Sequence, residues 1–305
     1  MKKMTWRGVM PAITTPFDQQ LNIDHAFVAK HCNWLVDNGC TGIVTPGSLG
    51  ESATLTGDEK LALWSTVFDA VGERVPVVAA IASLSTAEAV ELSQRAADRG
   101  CSGLMVLPPY VYRGDWREMK AHVEAVFRAT SLSCMLYNNP VAYGTDFLPE
   151  QVRELAAEHA NFEAVKESST DVRRVTWIRE LTGDRLAIFV GVDDAIVEAI
   201  AVGAVGWIAG LVNAFPKESV HLFDYAMNGE REQAMELYNW FLPLLRMDTV
   251  PKFVQLIKLV QQEVRMGNAR VRPPRLELAG VELEEAKRVI REALNKRALH
   301  EKSVR

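Results

Sequence analysis

The sequence predicts an α/β fold: a (β/α)8 TIM barrel followed by a C-terminal helical extension. Three observations carry that prediction. Eight short apolar runs recur along the chain, several of them continuous, as in strands buried on both faces of a parallel sheet. Amphipathic helical patterns with recognisable ends lie between these runs. The chain has 305 residues, enough for a barrel, which needs roughly 250, with a helical remainder. A doubly wound sheet fits less well, because "GVMPAITTPF" lacks the Gly-x-Gly-x-x-Gly turn that opens such folds.

The strand candidates, in order, are "GVMPAI" (8–13), "GIVT" (42–45), "VPVVAAI" (75–81), "GLMVL" (103–107), "CMLYN" (134–138), "EAVKE" (163–167), "LAIFVG" (186–191) and "VGWIAG" (205–210). Helices are expected from Asp24 to Asn38, from Asp58-Glu59 to near Gly72, and from Thr86 to near Gly100. Others are expected from Asp115 to Ala129 and from Asp171 to Leu181, with acidic or hydroxylated residues at their starts. Beyond Pro216 the strand signal fades into helical patterns. The barrel is therefore placed at 1–228 and the extension at 229–305.

Composition narrows the functional classes. The chain is 48% hydrophobic and 24% charged, with a net charge of −5, as in ordinary soluble globular proteins. No basic patch is present, so nucleic acid is not an expected partner. The four cysteines, Cys32, Cys40, Cys101 and Cys134, lack metal-site or disulfide spacing and read as buried thiols in a reducing cytoplasm. The start of the chain has no apolar signal core. The apolar stretch 195–215 is long enough for a membrane span, but Glu198 and Gly203, Gly206 and Gly210 divide it into helix, turn and strand.

In a barrel of this kind the reacting groups stand at the C-terminal ends of the strands. Lys166 ends the sixth strand candidate, where burial would lower its pKa and free the amine as a nucleophile toward a carbonyl or imine. Position alone equally allows a lysine paired with Glu167 at the rim. Tyr137 ends the fifth strand candidate as a proton carrier or as a core tyrosine with a satisfied hydroxyl. The "GSLGES" turn, with Ser48, offers backbone N–H groups to a carboxylate, or serves as an ordinary βα connection.

Together "PAITTPF", "GSLGES", "YNNP", "KESS", "GVDDA" and "GAVGWIAGLVNAFP" resemble the dihydrodipicolinate synthase / N-acetylneuraminate lyase family of Schiff-base lyases, over nearly the whole chain. The resemblance implies no metal or organic cofactor, a small keto or imino acid as substrate, and a homotetramer. It implies Lys166 as the Schiff-base lysine, Tyr137 as proton shuttle, and Ser48 with Leu49 as carboxylate holders. Tyr143, Asp193, Ile208 and Tyr110 are the further substrate-binding expectations, with Tyr110 or Tyr112 reaching a neighbouring subunit's site.

Two departures refine this expectation. Ala142 stands where synthases condensing pyruvate with aspartate semialdehyde carry a carboxylate-gripping arginine, and Leu49 replaces a threonine of the relay. Both argue against dihydrodipicolinate synthesis. The motif set looks most like the Δ1-pyrroline-4-hydroxy-2-carboxylate deaminases of hydroxyproline degradation. These release ammonia and 2,5-dioxopentanoate, and Asp193 or Tyr143 would orient the leaving hydroxyl. The alternatives are a 2-keto-3-deoxy sugar-acid aldolase or dehydratase, another pyruvate-type class I lyase, or a non-catalytic ligand-binding barrel.

Overall fold

The computed structural model of the protein describes residues 4–109 and 112–303. Eight parallel strands form one sheet in the order β1-β8-β7-β6-β5-β4-β3-β2. They are β1 (Gly8–Pro11), β2 (Ile43–Thr45), β3 (Val77–Ile81), β4 (Gly103–Val106), β5 (Ser133–Asn138), β6 (Phe162–Glu167), β7 (Ala187–Val190) and β8 (Gly206–Ala209). An Ala12–Val44 bridge brings β1 to β2 and nearly closes the ring. Each lies within a residue of, or inside, the run expected for it.

Helices alternate with the strands: α1 (His25–Asp37), α2 (Gly57–Val71), α3 (Thr86–Asp98), α4 (Trp116–Arg128), the one-turn α5 (Pro140–Tyr143) and α6 (Pro149–Glu158). The outer ring is completed by α7 (Arg173–Thr182), α8 (Ile196–Ala201) and α9 (Pro216–Asn228). Their starts follow local chemistry. The Thr56 hydroxyl accepts from Glu59 N–H while the Glu59 carboxylate accepts from Thr56 N–H, and Asp115 and Glu118 repeat this box. The apolar stretch 195–215 folds as α8, a turn at Gly203 and β8. No helix among the described residues is long and apolar enough to cross a membrane.

Two apolar layers result. The larger joins the outer faces of the strands to the helices. The smaller fills the barrel with inward residues such as Met10, Val78, Met105, Met135 and Phe189, so the interior is a packed core and not a pore. All four cysteines are free and buried. The chain then continues through α10 (Arg231–Leu245), α11 (Phe253–Glu263) and α12 (Gly280–Ser303).

The extension is fastened to the barrel by buried charge. Lys258 on α11 donates to Glu51 Oε1 at 2.5 Å, and both side chains are almost wholly inaccessible. Glu51 also accepts from Arg272 N–H at 2.9 Å, while the Arg272 guanidinium grips Glu59. The Phe17 ring faces both cations, at 4.4 Å from Lys258 Nζ and 4.6 Å from the Arg272 guanidinium carbon. Glu51 itself adopts a left-handed conformation, φ 57°. The tie is therefore made to the "GSLGES" turn itself.

Candidate active site

Successive strand residues face opposite ways, and this decides the position of Lys166. Lys166 points into the barrel. Glu167 points out, where it accepts from Asn138 Nδ2 at 3.1 Å and Ser169 N–H at 2.6 Å. The rim pairing of Lys166 with Glu167 is absent. Lys166 pairs in register with Tyr137 on β5, and its Nζ lies 4.1 Å from the centre of the Tyr137 ring.

Room for the lysine comes from a glycine. A Cβ at Gly191, just beyond β7, would stand 2.2 Å from Lys166 Cε and 2.1 Å from Ser168 Oγ. Burial lowers the Lys166 pKa to about 8, opposed by the negative charges of Asp248 and Asp193. On the order of a tenth of the amine is therefore neutral at pH 7, far more than for an ordinary lysine. Burial raises the Tyr137 pKa to about 12, partly offset by hydrogen bonding with Asn139, whose Nδ2 donates to the phenol oxygen at 2.9 Å.

Above these two residues opens a cavity of about 480 Å³, bordered by Ser48, Leu49, Tyr137, Tyr143, Lys166 and Ile208. Tyr143 meets Tyr137 edge to face, ring centres 6.0 Å apart, and its hydroxyl hydrogen-bonds the Ser48 hydroxyl. The "GSLGES" turn uses the N–H groups of Glu51 and Ser52 internally. Among the described residues the N–H groups of Ser48 and Leu49 have no acceptor, which leaves two donors beside the cavity for an anion.

Asp193 is placed differently from its expected role. It does not border the cavity; its carboxylate accepts from Trp207 Nε1 at 3.0 Å, Leu211 N–H at 2.8 Å, and Gly210 N–H. Burial still raises its pKa, to about 6, with those donors pulling the other way. Tyr110 lies outside the described residues. Tyr112 is exposed and hydrogen-bonds Glu118.

Two charged cavity residues escaped the sequence reading, both from the extension: Asp248 and Arg275. Asp248 ends a short 3-10 turn after α10, and Arg275 lies between α11 and α12. The only local signal was a polar break, "RMDTVP", between helical patterns. Nothing in it reveals that the break folds over the barrel mouth.

The dihydrodipicolinate synthetase family model matches residues 5–293. The chain belongs to that family. A 4-hydroxy-tetrahydrodipicolinate synthase of Natronomonas pharaonis is 38% identical over 76% of this chain and 79% of its own length. The crystal structure of a dihydrodipicolinate synthase from Bacillus anthracis is similar at TM-score 0.90 and 31% identity, over 94% of this chain and 98% of that one. A prophage protein of the family from E. coli K12, crystallised in complex with pyruvate, matches at TM-score 0.90 and 25% identity over 95% and 99% of the two chains.

These relatives correct the functional expectation. Curated relatives at 28–38% identity are named 4-hydroxy-tetrahydrodipicolinate synthase, which overturns the assignment to a hydroxyproline-pathway deaminase. The physical reason lies in the two substitutions that motivated it. Ala142 and Leu49 remove a cation and a hydroxyl from two loop positions, but the cavity carries Arg275 and the Tyr143 hydroxyl from elsewhere. Neither loss defines the substrate. The coarser reading, a class I aldolase-type lyase of the dihydrodipicolinate synthase family, stands.

Proposed function

We propose that this chain is a Schiff-base-forming lyase that takes a pyruvate-type 2-keto acid on Lys166. The observation that carries the reading is the buried amine of Lys166 held against the Tyr137 ring beneath an open cavity. The Lys166 amine attacks the C2 carbonyl, water leaves, and the resulting iminium acidifies C3–H. The Ser48 and Leu49 N–H groups hold the keto-acid carboxylate, while Tyr137 and the Ser48 hydroxyl move protons. The deprotonated C3 then adds to a second carbonyl compound, or the reverse reaction cleaves such an adduct. The pyruvate complex of the E. coli K12 relative supports the choice of keto acid.

Two kinds of second substrate fit this chemistry. A 2-keto-3-deoxy sugar acid would be cleaved to pyruvate and an aldehyde. An aldehyde carrying an acid group would be condensed with pyruvate, as the names of the relatives indicate for them. Arg275 favours the second: among the described residues its guanidinium has no carboxylate partner and it borders the same cavity. A homotetramer is proposed as the assembly.

The test is borohydride reduction in the presence of pyruvate, followed by peptide mass analysis. A reduced pyruvyl adduct on Lys166, lost in Lys166→Ala, is expected; an unmodified Lys166 would overturn the reading. Consumption of pyruvate with aspartate semialdehyde, set against pyruvate release from 2-keto-3-deoxy sugar acids, then separates the two kinds of second substrate.

A further inference from the structure

The catalytic cavity contains a carboxylate that the preceding chemistry leaves unused. Asp248 comes from the extension and borders the same cavity as Lys166 and Tyr137. Its approach depends on a glycine at the end of β8: a Cβ on Gly210 would stand 2.1 Å from Asp248 Oδ1. The neighbouring Asp193 has donors on both oxygens, whereas among the described residues no hydrogen bond or close ion pair holds the Asp248 carboxylate. A carboxylate that lines the lysine's own cavity with no donor of its own among the described residues stands open to a group bound there.

We propose that Asp248 is the acid that completes Schiff-base formation on Lys166, a role that rests on the function proposed above. After the Lys166 amine adds to C2 of the keto acid, the carbinolamine bears a hydroxyl at C2. The protonated Asp248 carboxyl gives its proton to that hydroxyl as the C–O bond breaks. Water departs, the nitrogen lone pair forms the C=N bond, and an iminium cation is left facing the Asp248 carboxylate. In hydrolysis the carboxylate takes a proton back from the attacking water. The charge is conserved, and no co-reactant is needed.

The surroundings suit this cycle. Burial raises the Asp248 pKa well above the usual carboxylate range; Asp193 and Asp194 raise it further and Lys166 opposes them. The group therefore holds a proton where an ordinary aspartate would have lost it, and the iminium charge favours its ionised form once the proton is given. Burial also raises Tyr137, to about 12. Lys166 is faced by Tyr137 from β5, by Asp193 beyond β7 and by Asp248, so its titration reports on all three.

The experiment follows the rate of borohydride-trappable pyruvate adduct on Lys166 against pH, in the full-length protein and in Asp248→Asn. The variant should form adduct about 100-fold more slowly, the scale of a lost general acid. Its rate profile should lose the alkaline limb contributed by the acid. The remaining limb, set by the Lys166 amine, should stay in place, because a protonated carboxyl and an amide are both uncharged. Asp248→Glu should restore an alkaline limb, which a packing role would not require. Wild-type and Asp248→Asn profiles of the same shape would overturn the role of Asp248 while leaving the Schiff base intact. Absence of any wild-type adduct across the pH range would overturn both.

Discussion

At the residue scale, Lys166 illustrates a conflict between stability and chemistry. Its pKa falls from 10.5 to about 8 because burial penalises the ammonium. Below pH 8 the folded state bears that penalty in full. Between about 8 and 10.5 the unfolded chain binds more protons than the folded one, so stability rises with pH across this window. Lys166→Met should therefore stabilise the protein near pH 7 by on the order of 1–3 kcal/mol, less than the full shift implies because Asp193 and Asp248 lose a cation. The gain should shrink at pH 10, as read from urea unfolding at both values; an equal gain at the two would refute this account. Lys166, Tyr137 and Ser48 were legible as cavity candidates because strand ends announce themselves through apolar runs that stop at a polar residue, and Leu49, Tyr143 and Ile208 came with the family resemblance. Asp248 and Arg275 were not, because their approach to the cavity comes from tertiary folding of the extension.

At the element scale, the strands and most helices were readable from period and capping residues. The helices α5 and α6 were exceptions: neither was singled out, and the start of α6 is marked by Pro149 and by Gln151 accepting from Leu148 N–H. The purpose of α11 was also hidden. Its Lys258 neutralises Glu51 of the "GSLGES" turn, and burial has lowered the lysine pKa to about 8 against the pull of Glu51. Removing one partner of a buried pair strands the other charge, at a cost of roughly 3–5 kcal/mol. Lys258→Met should show a loss of that size in chemical unfolding, and its folded fraction should have a raised KM for pyruvate as the turn loosens. An unchanged stability would mean that Arg272 alone neutralises Glu51.

At the scale of the whole molecule, the sequence correctly indicated a barrel with a helical remainder, and the family match over residues 5–293 includes both parts. It misled on the choice of reaction, because two loop substitutions were given more weight than groups arriving from distant parts of the chain. The proposed homotetramer belongs to this scale. Light scattering on the purified protein should give a mass four times the 33.9 kDa chain; a monomer mass at micromolar concentration would remove the assembly from the proposal.

The missing side chain at Gly210 has a consequence for descent. Asp248 Oδ1 occupies the space that any Cβ at position 210 would need, so a side chain at 210 would push the carboxylate out of its present place. A lineage that acquires alanine at 210 moves that carboxylate aside, and one that loses the aspartate is released from the demand for glycine. The pair works as an inherited lock with two tumblers. A relative's own sequence, read at these two sites, shows whether it has kept the same arrangement beside its lysine.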